Sequence, residues 1–328
     1  MDPDLFRAIQ GLDCHTKKRI YLRNKKLTDK DLEPFCKKLE NHDTVYMLVL
    51  QNLQLGPKGV DALTRALEKN TSLTSLHLNE NRIGPIGAKI LAQSLSTVPP
   101  WTTLFISSNQ IGPEGAISIA SALEINHTLT YINMDNNEIG SEGAIALASA
   151  LGSNDTLILL SIEENQIGVQ GAVALAHALL KNKTLELLFL SSNMIESDGA
   201  IAIAKALETN QSLISLYMEN ANLDPRGADQ VLQSLQKNYT LQQSLFLGWN
   251  TISLQQKTQF KKVLNRNLNI RIQMDTKLEI VKIRMNMLWY RMTQNSTWTK
   301  EYQIQQCYEQ IRDIVISIKK ELLMNMNR

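Results

Sequence analysis

The chain has 328 residues, 43% of them hydrophobic, with 34 basic against 32 acidic side chains and a net charge of +2. That balance argues against a polycationic nucleic-acid binder, and a mean hydropathy of −0.18 with no long apolar run argues against a membrane-spanning bundle. Cys14, Cys36 and Cys307 are too few and too scattered for a disulfide framework or a zinc site, so a reducing, cytoplasmic setting is expected.

Residues 1–16 lack the basic stretch followed by an apolar run that marks a secretory signal, and are expected to form an N-terminal cap. From 17 to 268 the chain repeats one pattern nine times with a period of 28 residues. One copy runs Leu73, Leu76, Leu78, Asn81, Ile83, Gly84, Gly87, Ala88, Leu91, Ala92, Leu95, and another runs Leu129, Ile132, Met134, Asn137, Ile139, Gly140, Gly143, Ala144, Leu147, Ala148, Leu151. A fixed period of this length marks a stacked repeat.

Each copy opens on period-two alternation, as in Leu76-His77-Leu78 or Leu188-Phe189-Leu190, which predicts a short strand. The following run, Ala88, Leu91, Ala92, Leu95 in one copy, has helical spacing with alanine where helix and strand lie close. One such unit cannot bury its own apolar face, so neighbours must stack. The expected fold is α/β: a solenoid or horseshoe with a parallel inner sheet and outer helices. Asn81, Asn109, Asn137, Asn165, Asn193 and Asn250 stand where strands end, placed to satisfy unpaired turn groups as a stacked ladder. The paired glycines, such as Gly84 and Gly87, are read as turn residues that give the backbone freedom between strand and helix.

These residues resemble the ribonuclease-inhibitor type of leucine-rich repeat, a pattern also found in NOD-like receptors and Ran GTPase-activating proteins. The resemblance covers roughly three quarters of the chain. It implies the horseshoe fold, while its relatives respectively block an enzyme, sense ligands and stimulate a GTPase. The pattern departs at Lys25, Leu53 and Ala221, which replace the ladder asparagine, and in the ninth copy, which carries an extra residue near Gln243.

Seven matches to the N-glycosylation pattern occur, and six follow from the repeat itself, such as Asn126-His127-Thr128 and Asn182-Lys183-Thr184. Their asparagines are expected at helix ends in the left-handed conformation, with no glycan attached.

The variable side chain between core positions of each strand reads Tyr21, Val49, His77, Phe105, Asn133, Ser161, Phe189, Tyr217 and Phe246. Five of these nine are Phe or Tyr in a chain that is 5% aromatic, and the positions should point away from the core. Tyr131, Leu159 and Leu187 extend the apolar column beside them, and Trp249 lies near Phe246. Just past the strands come Glu80, Asp135, Glu163, Glu164 and Glu219, with Arg19 and Arg23 at the opening end. Aromatic anchors flanked by carboxylates suit a protein partner with a basic or mixed-charge loop. The alternative is that the rings pack on one another along the sheet.

Charge supports neither nucleic-acid nor membrane binding: residues 1–44 hold ten basic and eight acidic side chains and residues 269–328 ten and six, leaving 14 and 18 between them. In the last segment Leu278, Val281, Met285, Leu288 and Met292 form one helical seam, and Ile304, Tyr308, Ile311, Val315, Ile318 and Leu322 another. Residues 269–328 are expected to form a helical hairpin or cap on the last repeat, or a separate docking module.

No metalloprotease, P-loop or nucleophile-elbow motif is present, and the five histidines are scattered. The expected protein is no enzyme and needs no cofactor or metal. Its expected function is to bind a protein partner on the concave face, as an inhibitor or adaptor. Two other readings remain. A GTPase regulator resembling the Ran GTPase-activating proteins would use an exposed arginine such as Arg19, Arg23 or Arg82. A compact array without a nucleotide-binding module is also similar to effectors that intracellular bacteria deliver into host cells, and the Asn-, Ile- and Lys-rich tail fits an AT-rich genome.

Overall fold

The computed structural model of the chain describes residues 18–272, apart from residues 28, 41, 69, 98, 99 and 246–249. The predicted cap at 1–16 and nearly all of the predicted hairpin at 269–328 lie outside the described residues, as do Phe246 and Trp249. By backbone contacts the chain divides into Met1–Leu264 and Asn265–Arg328. Of the second unit, residues 265–272 are described and are helical.

In the first unit, strands and helices alternate. The strands are β1 (Lys18–Arg23), β2 (Val45–Gln51), β3 (Ser75–His77), β4 (Thr103–Phe105), β5 (Tyr131–Asn133), β6 (Leu159–Ser161), β7 (Leu187–Phe189), β8 (Ser215–Tyr217) and β9 (Gln243–Leu245). Between them lie α1 (Asp29–Leu39), α2 (Pro57–Leu67), α3 (Gly84–Thr97), α4 (Gly112–Leu123), α5 (Gly140–Leu151), α6 (Gly168–Lys181), α7 (Glu196–Leu207) and α8 (Pro225–Leu235). The strands form one parallel sheet in chain order, and from Met47↔Ser75 to Tyr217↔Leu245 each partner lies 28 residues further on. The repeat period is therefore the sheet register. The strands are the rungs of an α/β solenoid.

The core runs between sheet and helices. Leu76, Leu104, Ile132, Leu160 and Leu188 are fully buried, as are Leu91, Ile119, Leu147, Leu175 and Ile203 on the helices. Burying a side chain of this size contributes about 1.5–3 kcal/mol, and each repeat adds the same set. Trp101 takes the place of the leading leucine in the fourth copy; it is buried, and its Nε1 has no hydrogen-bond partner.

The asparagine ladder forms as expected. Asn137 Oδ1 accepts the N–H of Asn109, while its Nδ2 donates to the carbonyls of Ile106, Met134 and Asp135. Each such residue thus ties its own turn to the repeat before it, and Asn109, Asn137, Asn165 and Asn193 are fully buried. At Ala221 the rung is missing, because a methyl group offers no amide. Asn250 resumes the pattern by accepting from Ala221 and Leu223.

Three expectations need correction. The helix-end asparagines are not left-handed: Asn182 has φ −67° and ψ 135°. They build a second ladder instead, in which Asn182 Nδ2 donates to Leu151 and Asn154 carbonyls and Oδ1 accepts from Thr184 and Leu185 N–H. An extended backbone lets the amide reach back one repeat, so Asn126, Asn154, Asn182 and Asn210 are buried.

The second glycine of each pair serves packing rather than conformational freedom. A Cβ at Gly143 would lie 2.4 Å from Ile139 Cγ2 and 2.7 Å from Ala116 Cβ, so neighbouring helices approach only because it is absent. The first glycine has a positive φ at Gly84, Gly112, Gly140 (65°) and Gly168, though not at Gly56 (−99°), and Glu196 adopts the same conformation (59°) without being glycine.

The ninth copy is also shifted. Leu245 pairs with Tyr217 at an offset of 28, whereas Asn250 reaches Ala221 at an offset of 29. Leu245, rather than Phe246, is thus the strand partner of Tyr217.

Candidate functional site

The face of the sheet opposite the helices carries the variable column. Its strand positions pair side by side from Tyr21↔Val49 to Phe189↔Tyr217, so the column is continuous in space. Tyr21 is 49% exposed and Tyr131, in the adjoining column, 37%; His77, Phe105, Asn133, Phe189 and Tyr217 are half-buried. Val49 and Ser161 are buried, contrary to the expectation that all these positions are open. Val49 stands outside the core cluster, between Tyr21 and His77, whose larger side chains flank it on the same face.

The aromatic side chains contact one another in pairs. Phe189 and Tyr217 stack in parallel at 4.5 Å, and Phe105 lies tilted against His77 at 4.6 Å. At the opening end Arg19 lies over the Tyr46 ring and donates through Nε to its hydroxyl, and Arg23 lies over Tyr21. The role of Tyr46 was not legible in the repeat, since it stands outside the variable column. Burial, with Arg23 nearby, lowers the His77 pKa and favours the neutral ring, whose Nε2 meets Ser75 Oγ at 2.8 Å.

The carboxylates line the edge where strands become turns. Asp135 is largely satisfied: Oδ1 accepts from Ser161 Oγ and the Glu163 N–H, and Oδ2 from Asn133 Nδ2. Glu163, half-buried, accepts hydrogen bonds from Ser191, and burial together with Asp135 raises its pKa above the ordinary glutamate range. Glu219 is half-buried, and Glu80 is exposed, with one oxygen taken by Gln51 Nε2. The structure thus brings Tyr21, His77, Phe105, Tyr131, Asp135, Glu163, Phe189, Tyr217 and Glu219 onto one sheet face and its edge. What the sequence did not reveal is that Asp135 and Glu163 also cap the next repeat's backbone.

Among the described residues no cluster of His, Cys, Asp and Glu is arranged to hold a metal ion, and no helix is long and apolar enough to cross a membrane. Cys36 is a buried free thiol whose pKa burial pushes up to about 11. On the helical side a depression between α7 and α8 is lined by Ser197, Asp198, Lys205, Asp224 and Arg226, a mixed set with no dominant charge.

Five stretches, residues 69–92, 102–120, 126–148, 153–176 and 181–204, match the family model described as Leucine Rich repeat. These five stretches are leucine-rich repeats, and the strands before and after them continue the same parallel stack. Among solved structures, leiomodin-1 actin-binding site 2 is similar at 23% identity and a TM-score of 0.46, over 51% of this chain and 95% of that one. The tropomodulin C-terminal domain from Caenorhabditis elegans is similar at 17% identity and a TM-score of 0.43, over 50% and 96%. No curated protein matches the sequence.

Proposed function

We propose that the chain is a non-catalytic binding protein that grips a protein partner on the concave, aromatic face of its sheet, as an inhibitor or adaptor. The observation that carries this reading is the column of partly exposed rings, Tyr21, Phe105, Phe189 and Tyr217, on a sheet face that no helix among the described residues covers. Large rings on a rigid platform supply contact area at small entropic cost, and such residues dominate binding energies at interfaces. The carboxylates at the rim, Glu80, Glu163, Glu164 and Glu219, favour a partner loop that is basic or of mixed charge. The proposed setting is a cytosol, the chain's own or that of a host cell.

The test is affinity purification of the intact chain beside a Phe189→Ala, Tyr217→Ala double variant, with mass spectrometry of what co-purifies. A partner captured by the intact chain and lost from the variant supports the concave face. A partner retained undiminished by the variant rejects it.

A further inference from the structure

The inner face is charged at its two ends and neutral between them. Three side-chain columns cross the rungs, beginning at Arg19, Tyr21 and Arg23 on β1. From β1 to β8 their only formal charges are Arg19 and Arg23 at one end and Asp135, Glu163 and Glu219 at the other. Between the two ends the columns hold Gln51, Asn79 and Ser107 beside Phe105 and the neutral His77. Glu80 lies one position outside them, and Gln51 Nε2 engages it.

Arg19, Tyr21 and Arg23 alternate along β1, so they share a face, and all three are exposed. The rings of Tyr46 and Tyr21 hold the two guanidiniums without neutralising them. At the far end Ser161, Asn133 and the Glu163 N–H engage Asp135, which leaves Glu163, Glu219 and the exposed Glu164 of the adjoining turn. Among the described residues neither arginine is paired with a carboxylate, and none of these three glutamates is paired with a base. Adjacent strands lie about 4.8 Å apart, so β6 is about 24 Å from β1, a span that an extended segment crosses in about seven residues.

We propose that the partner segment gripped by this face is itself polarised, with an acidic group on Arg19 and Arg23, an apolar middle across β2 to β4, and a basic group at Glu163, Glu164 and Glu219. This rests on the concave face being the binding surface. A uniformly basic segment would bring like charge against two exposed guanidiniums, and a uniformly acidic one would meet three carboxylates. Only a segment with opposite charges at its ends is favoured at both. Such complementarity fixes direction and register more than it adds affinity.

The test is fluorescence anisotropy on the full-length chain with three labelled peptides of about ten residues that share one centre rich in Leu and Tyr. The first carries Glu-Glu at one end and Arg-Arg at the other, the second Arg-Arg at both ends, and the third Glu-Glu at both. The mixed peptide should bind about fivefold more tightly than either uniform one, by a margin that shrinks at high salt. Arg19→Gln with Arg23→Gln should erase its advantage over the all-arginine peptide. Glu163→Gln with Glu219→Gln should erase its advantage over the all-glutamate peptide, while Arg82→Gln, outside these columns, should change neither. A mixed peptide that binds no tighter than the all-arginine one, or an advantage that survives both pairs of variants, overturns the polarity. If Phe189→Ala, Tyr217→Ala nevertheless abolishes capture of the co-purifying partner, the concave-face reading stands. Capture and peptide binding that ignore every inner-face substitution overturn that reading as well.

Discussion

Phe189 and Tyr217, on neighbouring strands, stack with centroids 4.5 Å apart and planes within 1° of parallel. Such a pair contributes about 0.5–1.5 kcal/mol beyond its buried area, and each ring stays half-buried. A double-mutant cycle on Phe189→Ala and Tyr217→Ala in urea should therefore return a coupling near 1 kcal/mol. Loss of partner binding in each single variant should be larger, about 2 kcal/mol or roughly 30-fold. A coupling of several kcal/mol would mean that the rings serve the fold first.

The ladder asparagines should behave as core residues despite their polarity. Asn137→Ala strands the Asn109 N–H in a dry interior, at about 1–3 kcal/mol, and removes one of the two donors on each of the Ile106 and Met134 carbonyls, which Asn109 and Asn165 Nδ2 still reach. Denaturant unfolding should show a loss in that range. Ala221→Asn, which restores the missing rung toward Asn193, should instead gain about 1 kcal/mol.

Two backbone positions predict changes of opposite sign. Glu196 holds φ 59°, where its Cβ is unfavourable, so Glu196→Gly should raise stability by about 1 kcal/mol. Gly143→Ala places a methyl group against Ile139 and Ala116 and should lower stability by about 1–3 kcal/mol through overpacking. Thermal melts of the two variants should bracket the parent; a Glu196→Gly melt below the parent would contradict the account.

Glu163 ties stability and binding to pH. Its raised pKa means that the native state keeps a proton which the unfolded chain has lost, so its contribution to stability falls as pH climbs from the ordinary glutamate value of 4.5 through the native one. A cationic ligand needs the carboxylate, so its affinity should rise across that same window. Anisotropy titrations between about pH 4 and 7 should show the rise in the parent and a flat profile in Glu163→Gln. An equal rise in both would assign the effect to another group.

Most of the array was legible because a 28-residue period constrains the chain twice, once in the pattern and once in the strand register. Leu76, Leu104 and Ile132 could only be core, and Asn109 could only be a turn residue. The errors arose where one residue type does two jobs. Glycine in these pairs means a positive φ at Gly140 but missing bulk at Gly143, and only the packing of α4 against α5 separates the two. Asparagine at a helix end suggested a left-handed cap, yet Asn182 is extended because its amide has carbonyls to reach in the previous repeat. On the binding face the column was readable, but side-chain direction was not. Nothing in the pattern announced that Ser161 and Asn133 both turn to Asp135, or that Val49 lies covered between its neighbours.

The missing rung at Ala221 falls between β7 and β8, the joint that the Phe189 and Tyr217 rings bridge on the opposite face. Strand pairing and the second asparagine ladder still cross it, but the buried amide that locks the joints from β2 to β7 does not; the β1–β2 joint also lacks it, at Leu53, yet its strands pair over six residues. Under a bending load this joint should therefore yield first, opening like a hinge with the two rings at its lips. A partner seated on both rings would act as a splint, stiffening the solenoid where it is weakest.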